Sequence, residues 1–334
     1  MMLNLITKML WYRANEKITG EKLMIVFKGI ENITEDFSGS FVTIGNFDGV
    51  HLSHQFICRK LATEAKAASA KSLVITFDPH PKMILHPNIR PFYLITTLAE
   101  KLKLLEDCGV DGILVIPFSP EYSKITAEQF VYGFLGQKLA VKKVIVGHDY
   151  TFGQARQGNS DYLISEGRKL GFAVEVVDAF KVGTDIISST LIRNLILQGD
   201  VNAVFQFMGR WHNIAGIVVS GRGRGTGLGF PTANLEPDKE LLPPPGIYAA
   251  FAELEGKCYM AALNIGIKPT FADYTFTFEA HLLDFTGDVR SKRINILFVE
   301  KLRDIVKFDG PEILKQQIAA DVEKVRAILG AVTK

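Results

Sequence analysis

Short apolar runs alternate with longer amphipathic stretches in the first part of the chain. The runs are rich in β-branched residues and lie at 41–44, 73–77, 113–116, 144–147 and 174–177. Most are apolar on both faces, which is typical of strands in a parallel sheet that is covered on both sides. The stretches between them predict helices at 54–70, 97–107, 126–139 and 159–170. This alternation predicts right-handed crossovers and an α/β doubly wound, Rossmann-like parallel sheet.

The pattern changes after Val201, where strand-like segments follow one another without helices between them. These segments lie at 214–219, 247–253, 258–265, 276–283 and 294–299. Only the tail, 311–329, has apolar residues at helical spacing, and Pro311 stands at its first position. Successive strands separated by turn residues predict a small antiparallel β-barrel, and the tail predicts a C-terminal helix docked on it.

The length of 334 residues exceeds what a single core usually serves, so two domains are expected. We place the first domain at 24–201, a linker region at 202–212 and the second domain at 213–334. Residues 1–23 form an N-terminal extension to which we assign no role. The extension lacks the hydrophobic region and cleavage site of a signal peptide, and the chain has no apolar run long enough to span a bilayer.

The composition is that of an ordinary soluble globular protein, with 47% hydrophobic and 22% charged residues. A net charge of +2 provides no global field for binding nucleic acid or an anionic membrane, and we expect neither partner. Cys58, Cys108 and Cys258 lie far apart in the sequence and show neither a disulfide framework nor metal-ligand spacing. Buried free thiols and a reducing cytoplasm are expected.

A turn with two histidines follows the first predicted strand. In the segment GNFDGVHLSHQ (45–55), His51 and His54 stand three residues apart at the start of a predicted helix. Backbone N–H groups and the helix dipole attract anions at this position, and histidine donors there can stabilise charge on a phosphate under attack. Two surface histidines on a glycine-containing turn are the alternative.

A glycine-rich stretch marks the start of the second domain, where five glycines alternate over residues 221–229. It is not a Rossmann fingerprint, because Pro231 and a strand-like sequence follow where a helix should begin. It also lacks the Gly-Lys-Ser/Thr of a Walker loop. A loop that wraps backbone N–H groups around phosphates fits. A Gly/Arg linker or a nucleic-acid tract built on Arg222 and Arg224 is the alternative, which the near-neutral net charge disfavours.

Five motifs in the first domain occur in the order found in a known family. They are GNFDGVHLSHQ (45–55), VITFDPHP (74–81), ITTLAEKLKLLEDCGVD (95–111), VGHDYTFG (146–153) and ISSTLIR (187–193). Together they resemble the adenylyltransferase module of bifunctional riboflavin kinase/FAD synthetases, which belongs to the HxGH nucleotidyltransferase group. The resemblance covers most of residues 24–201.

The resemblance implies roles for residues at the matching positions. His51 and His54 would contact ATP phosphates, and Asp149 would help hold the flavin nucleotide or the metal. Further residues would bind ATP or its phosphates: Gly45, Phe47, Asp48, Ser188, Ser189, Thr190 and Arg193. The family has glycine between its two histidines, and Ser53 stands there in this chain. Glycine permits a close backbone approach, so we expect weakened or retuned ATP binding.

The second domain carries a matching set of motifs over residues 205–329. GRGTGLGFPTAN (223–234), NIGIKPTF (264–271), FEAHLLD (278–284) and LRDIVKF (302–308) resemble riboflavin kinase. The resemblance implies that Thr232 and Asn234 hold Mg²⁺ and that Glu279 is the general base. The loop over ATP would include Gly221, Gly223, Arg224, Gly225 and Gly229.

The combined resemblance implies a bifunctional enzyme of flavin cofactor synthesis. Riboflavin would be phosphorylated to FMN, and FMN would be adenylylated to FAD with release of pyrophosphate, with ATP and Mg²⁺ used in the cytoplasm. Two alternatives stay open. One is a riboflavin kinase whose adenylyltransferase module is weakened or inactive, as Ser53 suggests. The other is a non-catalytic flavin or nucleotide sensor, which is disfavoured because Thr232, Asn234 and Glu279 are all present.

Overall fold

A computed structural model describes residues 24–86, 92–220, 229–269 and 274–333. The described residues divide into two compact units, one ending at Ser189 and the other beginning at Thr190.

The first unit is built on a parallel sheet. Its strands are β1 (Ile25–Lys28), β2 (Phe41–Ile44), β3 (Ser72–Asp78), β4 (Gly112–Pro117), β5 (Lys143–Gly147), β6 (Thr151–Phe152), β7 (Gly158–Asn159), β8 (Ala173–Val177), β9 (Lys181–Val182) and β10 (Asp185–Ile186). Six of them form one sheet in the order β1-β4-β3-β2-β5-β8, and β6–β7 and β9–β10 form two small hairpins. All neighbours in the large sheet are parallel. The predicted doubly wound sheet is confirmed.

The connections in this unit are helical, as the pattern predicts. The α-helices are α1 (Leu52–Ala67), α2 (Pro81–Leu85), α3 (Leu98–Glu106) and α4 (Ser160–Leu170). The helix predicted at 126–139 is instead a π-helix over Gln129–Lys138. At its end the Leu139 N–H donates to the Phe134 carbonyl, five residues earlier, at 3.0 Å. Wide turns of this kind are rare and often accompany functional sites.

The large sheet is buried on both faces. Leu73 and Ile75 of β3 pack in the core on one face, while Val74 of the same strand packs with Ile57 and Leu61 of α1 on the other. This two-sided burial explains why the strands read as continuous apolar runs. Both faces of the sheet are therefore covered by apolar side chains. In sheets of this kind, ligands bind at the edge formed by the carboxyl ends of the strands.

The second unit is a closed barrel. Its helices are α5 (Ser189–Gln198), α6 (Val201–Met208) and α7 (Pro311–Val332), of which α5 begins at the border between the units. Its strands are β11 (His212–Val219), β12 (Ala233–Pro237), β13 (Gly246–Leu254), β14 (Lys257–Pro269), β15 (Tyr274–Leu282) and β16 (Arg293–Arg303). The strands close in the order β11-β12-β15-β14-β13-β16 and are antiparallel throughout. The predicted antiparallel barrel is confirmed.

One helix precedes the barrel strands and another follows them, and both pack against the barrel. The region 202–212, predicted as a linker, contains most of α6, and Val201 at its start packs in the barrel core. The C-terminal helix α7 packs Val325 and Leu329 against the outside of the barrel. Arg303 of β16 donates to the buried Asp321 of α7 at 2.7 Å. This ion pair fixes the helix on the barrel.

His212 is a buried histidine at the start of β11. It is 0% exposed, and its ring stacks on Phe298 with centroids 5.8 Å apart. Burial lowers the pKa of His212 well below its usual range, and the charges of Lys239 and Arg210 lower it further. The ring is therefore neutral in the folded barrel at neutral pH.

We expect the barrel unit to lose stability as the pH falls below about 6.5, the pKa of an exposed histidine. Because the folded pKa is lower than the unfolded one, the unfolded chain binds the extra proton first. The contribution is fully present above the unfolded pKa, and it falls by up to about 1.4 kcal/mol per pH unit below it. Urea denaturation followed by Trp211 fluorescence in a Trp11→Phe background measures this. His212→Phe, which keeps the ring stacking, should lose less stability than the parent on acidification; equal losses would contradict the assignment.

Candidate functional site

The loop Gly45–Val50 joins β2 to α1 at the carboxyl edge of the parallel sheet. Phe47 has a φ of 50° and Val50 a φ of 36°, a conformation that non-glycine residues rarely adopt. Val50 is β-branched and fully buried, so the surrounding structure must hold it there. A Cβ on Gly45 would lie 3.2 Å from the Phe47 ring. Backbone strain of this kind collects at ligand-binding and catalytic sites.

Asp48 holds this loop in shape from within. Its side chain is 3% exposed, and its Oδ1 accepts from the backbone N–H groups of Ile95 at 3.0 Å and Thr96 at 3.2 Å. The Gly49 N–H donates to the Thr96 hydroxyl at 3.0 Å, and the Ser189 hydroxyl donates to the Asp48 carbonyl at 2.8 Å. The Asp48 carboxylate therefore ties the loop to a segment that lies 47 and 48 residues away in the sequence.

The two histidines lie together at the N-terminus of the 16-residue helix α1. His51 is the N-cap residue, and its Nδ1 accepts from the His54 backbone N–H at 3.4 Å. The two rings stack with centroids 3.5 Å apart, and the Phe47 ring meets His54 edge-on at 5.0 Å. Because Nδ1 of His51 is an acceptor, the neutral ring carries its proton on Nε2, where it can donate to an anion at the helix terminus.

The other residues predicted for this site are distributed over two segments. Ser188 is half-buried, and Ser189 contacts the loop through Asp48 as described. Thr190 and Arg193 follow on α5 in the second unit, Thr190 exposed and Arg193 buried. Asp149 is exposed and follows β5, the strand beside β2, so it lies at the same carboxyl edge.

Sequence reasoning missed several residues that shape this site. Thr96 and Lys101 contact the loop directly. The motif at 95–111 and the capping pattern of Thr97 with Glu100 mark their segment, but neither indicates these two contacts. Phe77 at the end of β3 forms an aromatic cluster with Phe118 and Tyr122, with centroids 5.7 to 6.2 Å apart. Burial raises the pKa of Tyr122 far above its usual range, so its hydroxyl stays protonated.

A row of three polar residues crosses three neighbouring strands of the barrel. Asn234 of β12 pairs directly with Glu279 of β15, and Glu279 pairs on its other side with Asn264 of β14. Direct partners on antiparallel strands project from the same face, with Cβ atoms roughly 4.5 to 5.5 Å apart. Glu279 is flanked in sequence by Phe278 and Ala280, both buried in the barrel core. The row therefore lies on the outer face of the barrel.

The segment leading into β12 is tied to β15. His281 Nδ1 lies 2.7 Å from the Pro231 carbonyl, and the ring meets Phe230 edge-on at 5.6 Å. Thr232 is half-buried just before β12, two residues from Asn234. Gly229 has a φ of 89°, the left-handed conformation that suits glycine. The remaining loop residues of the prediction, Gly221, Gly223, Arg224 and Gly225, lie outside the described residues.

Family models match both units. Residues 33–191 match FAD synthetase, and residues 208–329 match riboflavin kinase. Within the described ranges, no helix is long and apolar enough to cross a membrane.

Similar proteins cover almost the whole chain. A bifunctional riboflavin kinase/FMN adenylyltransferase from Pseudomonas fluorescens is 35% identical over 91% of this chain and 98% of its own length. One of the same description from Haemophilus influenzae is 32% identical over 92% of this chain and 100% of its own length. A crystal structure described as a macrolide-efflux protein from Streptococcus pneumoniae has a TM-score of 0.83 at 29% identity, covering 91% of this chain and 99% of the other. The chain belongs to the family of bifunctional riboflavin kinase/FMN adenylyltransferases.

Proposed function

We propose that this chain makes FAD from riboflavin in two ATP-dependent steps, one in each unit. The barrel unit phosphorylates riboflavin to FMN, and the parallel-sheet unit adenylylates FMN to FAD. The observation that carries the proposal is the direct pairing of Asn234 with Glu279. An amide suited to bind a cation and a carboxylate suited to act as a base are therefore neighbours on one face of the barrel. The two stacked histidines at the N-terminus of α1 supply the matching anion site in the other unit.

In the kinase step, the riboflavin 5′-hydroxyl oxygen attacks the γ-phosphorus of ATP. Glu279 accepts the hydroxyl proton, the bond from the γ-phosphorus to the bridging oxygen breaks, and ADP leaves. The Thr232 hydroxyl and the Asn234 amide are hard oxygen donors that suit Mg²⁺. Both are neutral, so they fit a cation whose charge is balanced by the ATP phosphates. The resemblance assigns the contacts with those phosphates to residues of the glycine-rich stretch: Gly221, Gly223, Arg224, Gly225 and Gly229.

In the adenylylation step, a phosphate oxygen of FMN attacks the α-phosphorus of ATP. The bond from the α-phosphorus to the bridging oxygen breaks, and pyrophosphate leaves. The attacking phosphate is already ionised at neutral pH, so this step needs no base. His51 and His54 donate to the phosphate oxygens on which charge develops.

The remaining predicted residues complete the adenylylation site in this proposal. We assign the binding of phosphate oxygens to the Ser188 hydroxyl and to the backbone N–H of Ser189, whose own hydroxyl donates to the Asp48 carbonyl. The resemblance assigns the same role to Thr190 and Arg193. Gly45 and Phe47 line the nucleotide pocket, and Asp149 holds the flavin nucleotide or the metal. The aromatic cluster of Phe77, Phe118 and Tyr122 lies at the same edge of the sheet, where flat apolar rings suit the flavin ring system. All three cysteines are free; Cys58 and Cys108 are buried as expected, whereas Cys258 is exposed. We assign the chain to a reducing cytoplasm, where free thiols are maintained.

Incubation of the purified chain with riboflavin, ATP and Mg²⁺ tests the proposal. We expect FMN to appear first and FAD to follow, because the product of the barrel unit is the substrate of the other unit. Chromatography resolves the two flavins. FMN that accumulates without FAD, even when FMN is added directly, would favour the kinase with an inactive second module. The absence of both products with riboflavin still bound would favour the non-catalytic sensor.

Ser53→Gly is expected to lower the KM for ATP in the FAD-forming step alone. Ser53 is the second residue of α1 and is half-buried, and its backbone is helical, so the fold does not require glycine there. The effect should come from the removed side chain next to the nucleotide. Initial rates at varied ATP measure it, and thermal unfolding checks the start of the helix. A normally stable variant with an unchanged or higher KM would show that serine is accommodated without loss.

A further inference from the structure

Lys101 is a buried lysine in the first turn of α3, and the reaction steps above leave it unused. It is 7% exposed, although lysine is almost never buried without partners. Its ammonium donates to three acceptors: the Phe77 carbonyl at 3.1 Å, the Thr76 hydroxyl at 3.2 Å and the Asn46 carbonyl at 3.3 Å. All three donors of the ammonium are therefore occupied by the protein.

These contacts close a small buried network between the loop and the sheet. The Thr76 hydroxyl, itself fully buried, donates to the same Asn46 carbonyl at 3.1 Å. Asn46 immediately precedes Phe47, the first residue of the loop with positive φ. Lys101 and Thr76 thus anchor the loop to the end of β3, just before the chain turns toward the histidines.

The charge of Lys101 matters as well as its hydrogen bonds. Burial lowers the pKa of Lys101, while the carboxylates of Asp48 and Asp78 oppose that shift. Without the ammonium, the Asp48 carboxylate within the loop and the Asp78 carboxylate at the end of β3 would add negative charge where polyphosphate must bind. An ammonium surrounded by three acceptors offsets it, and a neutral side chain cannot.

We propose that Lys101 is a positioning residue for adenylyl transfer: it holds the loop Gly45–Val50 against β3 and offsets the negative charge of Asp48 and Asp78. Lys101 does not touch the substrates, because its donors are occupied. It acts through the loop, whose far end carries His51 and His54. The inference rests on the proposed adenylylation of FMN in this unit.

Lys101→Met tests the inference, because methionine keeps most of the volume and removes the charge and the donors. We expect kcat for FAD formation from added FMN to fall by about 10- to 100-fold, the order of loss that follows a small misplacement of reacting groups. The KM for ATP should rise by a smaller factor. Riboflavin phosphorylation should not change, since that site lies on the other unit. Lys103→Met, on the exposed side of the same helix, is the matched control and should leave both activities unchanged.

Thr76→Val supplies a second, nearly isosteric probe of the same network. We expect a smaller fall in kcat than for Lys101→Met. Because the two residues share one network, the fold-decrease in kcat of the double variant should be smaller than the product of the fold-decreases of the two single variants. If Lys101 were only structural, its replacement would lower the melting temperature but would not change kcat or KM of the folded enzyme.

That result, or a kcat within about twofold of the parent in both single variants, would overturn the proposal. If Lys101→Met also loses kinase activity, the chain has misfolded and Thr76→Val decides. A parent chain that makes no FAD refutes the proposed function instead.

Discussion

Glu279→Gln is expected to lower kcat for riboflavin phosphorylation by about two to four orders of magnitude, the usual contribution of general acid–base catalysis. Glutamine has nearly the same shape as glutamate and cannot accept the proton of the attacking hydroxyl. The pairing of Glu279 with Asn234 and Asn264 should survive, because it is set by backbone register. The KM for riboflavin should therefore change little, and steady-state kinetics separates the two parameters.

Two controls make this result specific. FAD formation from added FMN should be nearly unaffected by Glu279→Gln, because its nucleophile is already ionised. Glu300→Gln changes another half-buried glutamate on a barrel strand and should leave riboflavin phosphorylation intact. Parallel loss of both activities in Glu279→Gln would point to a folding defect or to a different base.

His54→Ala is expected to lower kcat for FAD formation by about 10²- to 10³-fold, the cost of removing one preorganised donor to developing charge. The KM for ATP should move less than kcat, because the donor acts mainly in the transition state. His51 needs a different substitution, since its Nδ1 also caps α1. His51→Asn keeps an N-cap acceptor and removes the ring Nε2–H, so it should reduce kcat without unfolding the helix.

Riboflavin phosphorylation is the internal control for both histidine variants and should not change. His86→Ala alters an exposed histidine of the same unit and should leave both activities at the parent level. FAD formation at the parent rate in folded His54→Ala and His51→Asn would exclude the two histidines from the reaction.

The fold was predictable wherever apolar residues are contiguous. The strands expected at 73–77 and 113–116 are confirmed to within one residue at either end. A strand that is buried on both faces forms an uninterrupted apolar run, so its ends are easy to locate in the sequence. The short edge strand β1 was missed, since Ile25 and Val26 are exposed and a run of four residues carries little pattern. The π-helix could not be distinguished from an α-helix by composition, because the two differ in the spacing of their backbone hydrogen bonds and not in the residue types they contain.

The candidate sites were predictable only as far as motifs mark them. The two histidines, Asn234 and Glu279 are marked by motifs that stand in sequence order, whereas the direct pairing of Asn234 with Glu279 is seen only in the structure. The hydrogen bonds that hold these residues in place could not be predicted in this way, because they join residues that are far apart in the chain. Asp48 meets Thr96 across 48 residues, and Lys101 meets Asn46 across 55. A lysine between leucines and glutamates on a helix has the sequence pattern of a solvent-facing residue, and only tertiary structure shows that it is buried.

The alternation along β15 places a limit on how this chain can change in length. Glu279 lies on the outer face, while its neighbours Phe278 and Ala280 fill the core. Side chains alternate with a period of two, so a one-residue slip of β15 would bury the carboxylate and expose the phenylalanine together. An insertion or deletion of a single residue within this strand would therefore remove the base and damage the core in one event. A shift by two residues would keep both faces but would move Glu279 out of its pairing with Asn234, so the core and this pair together fix the register of β15.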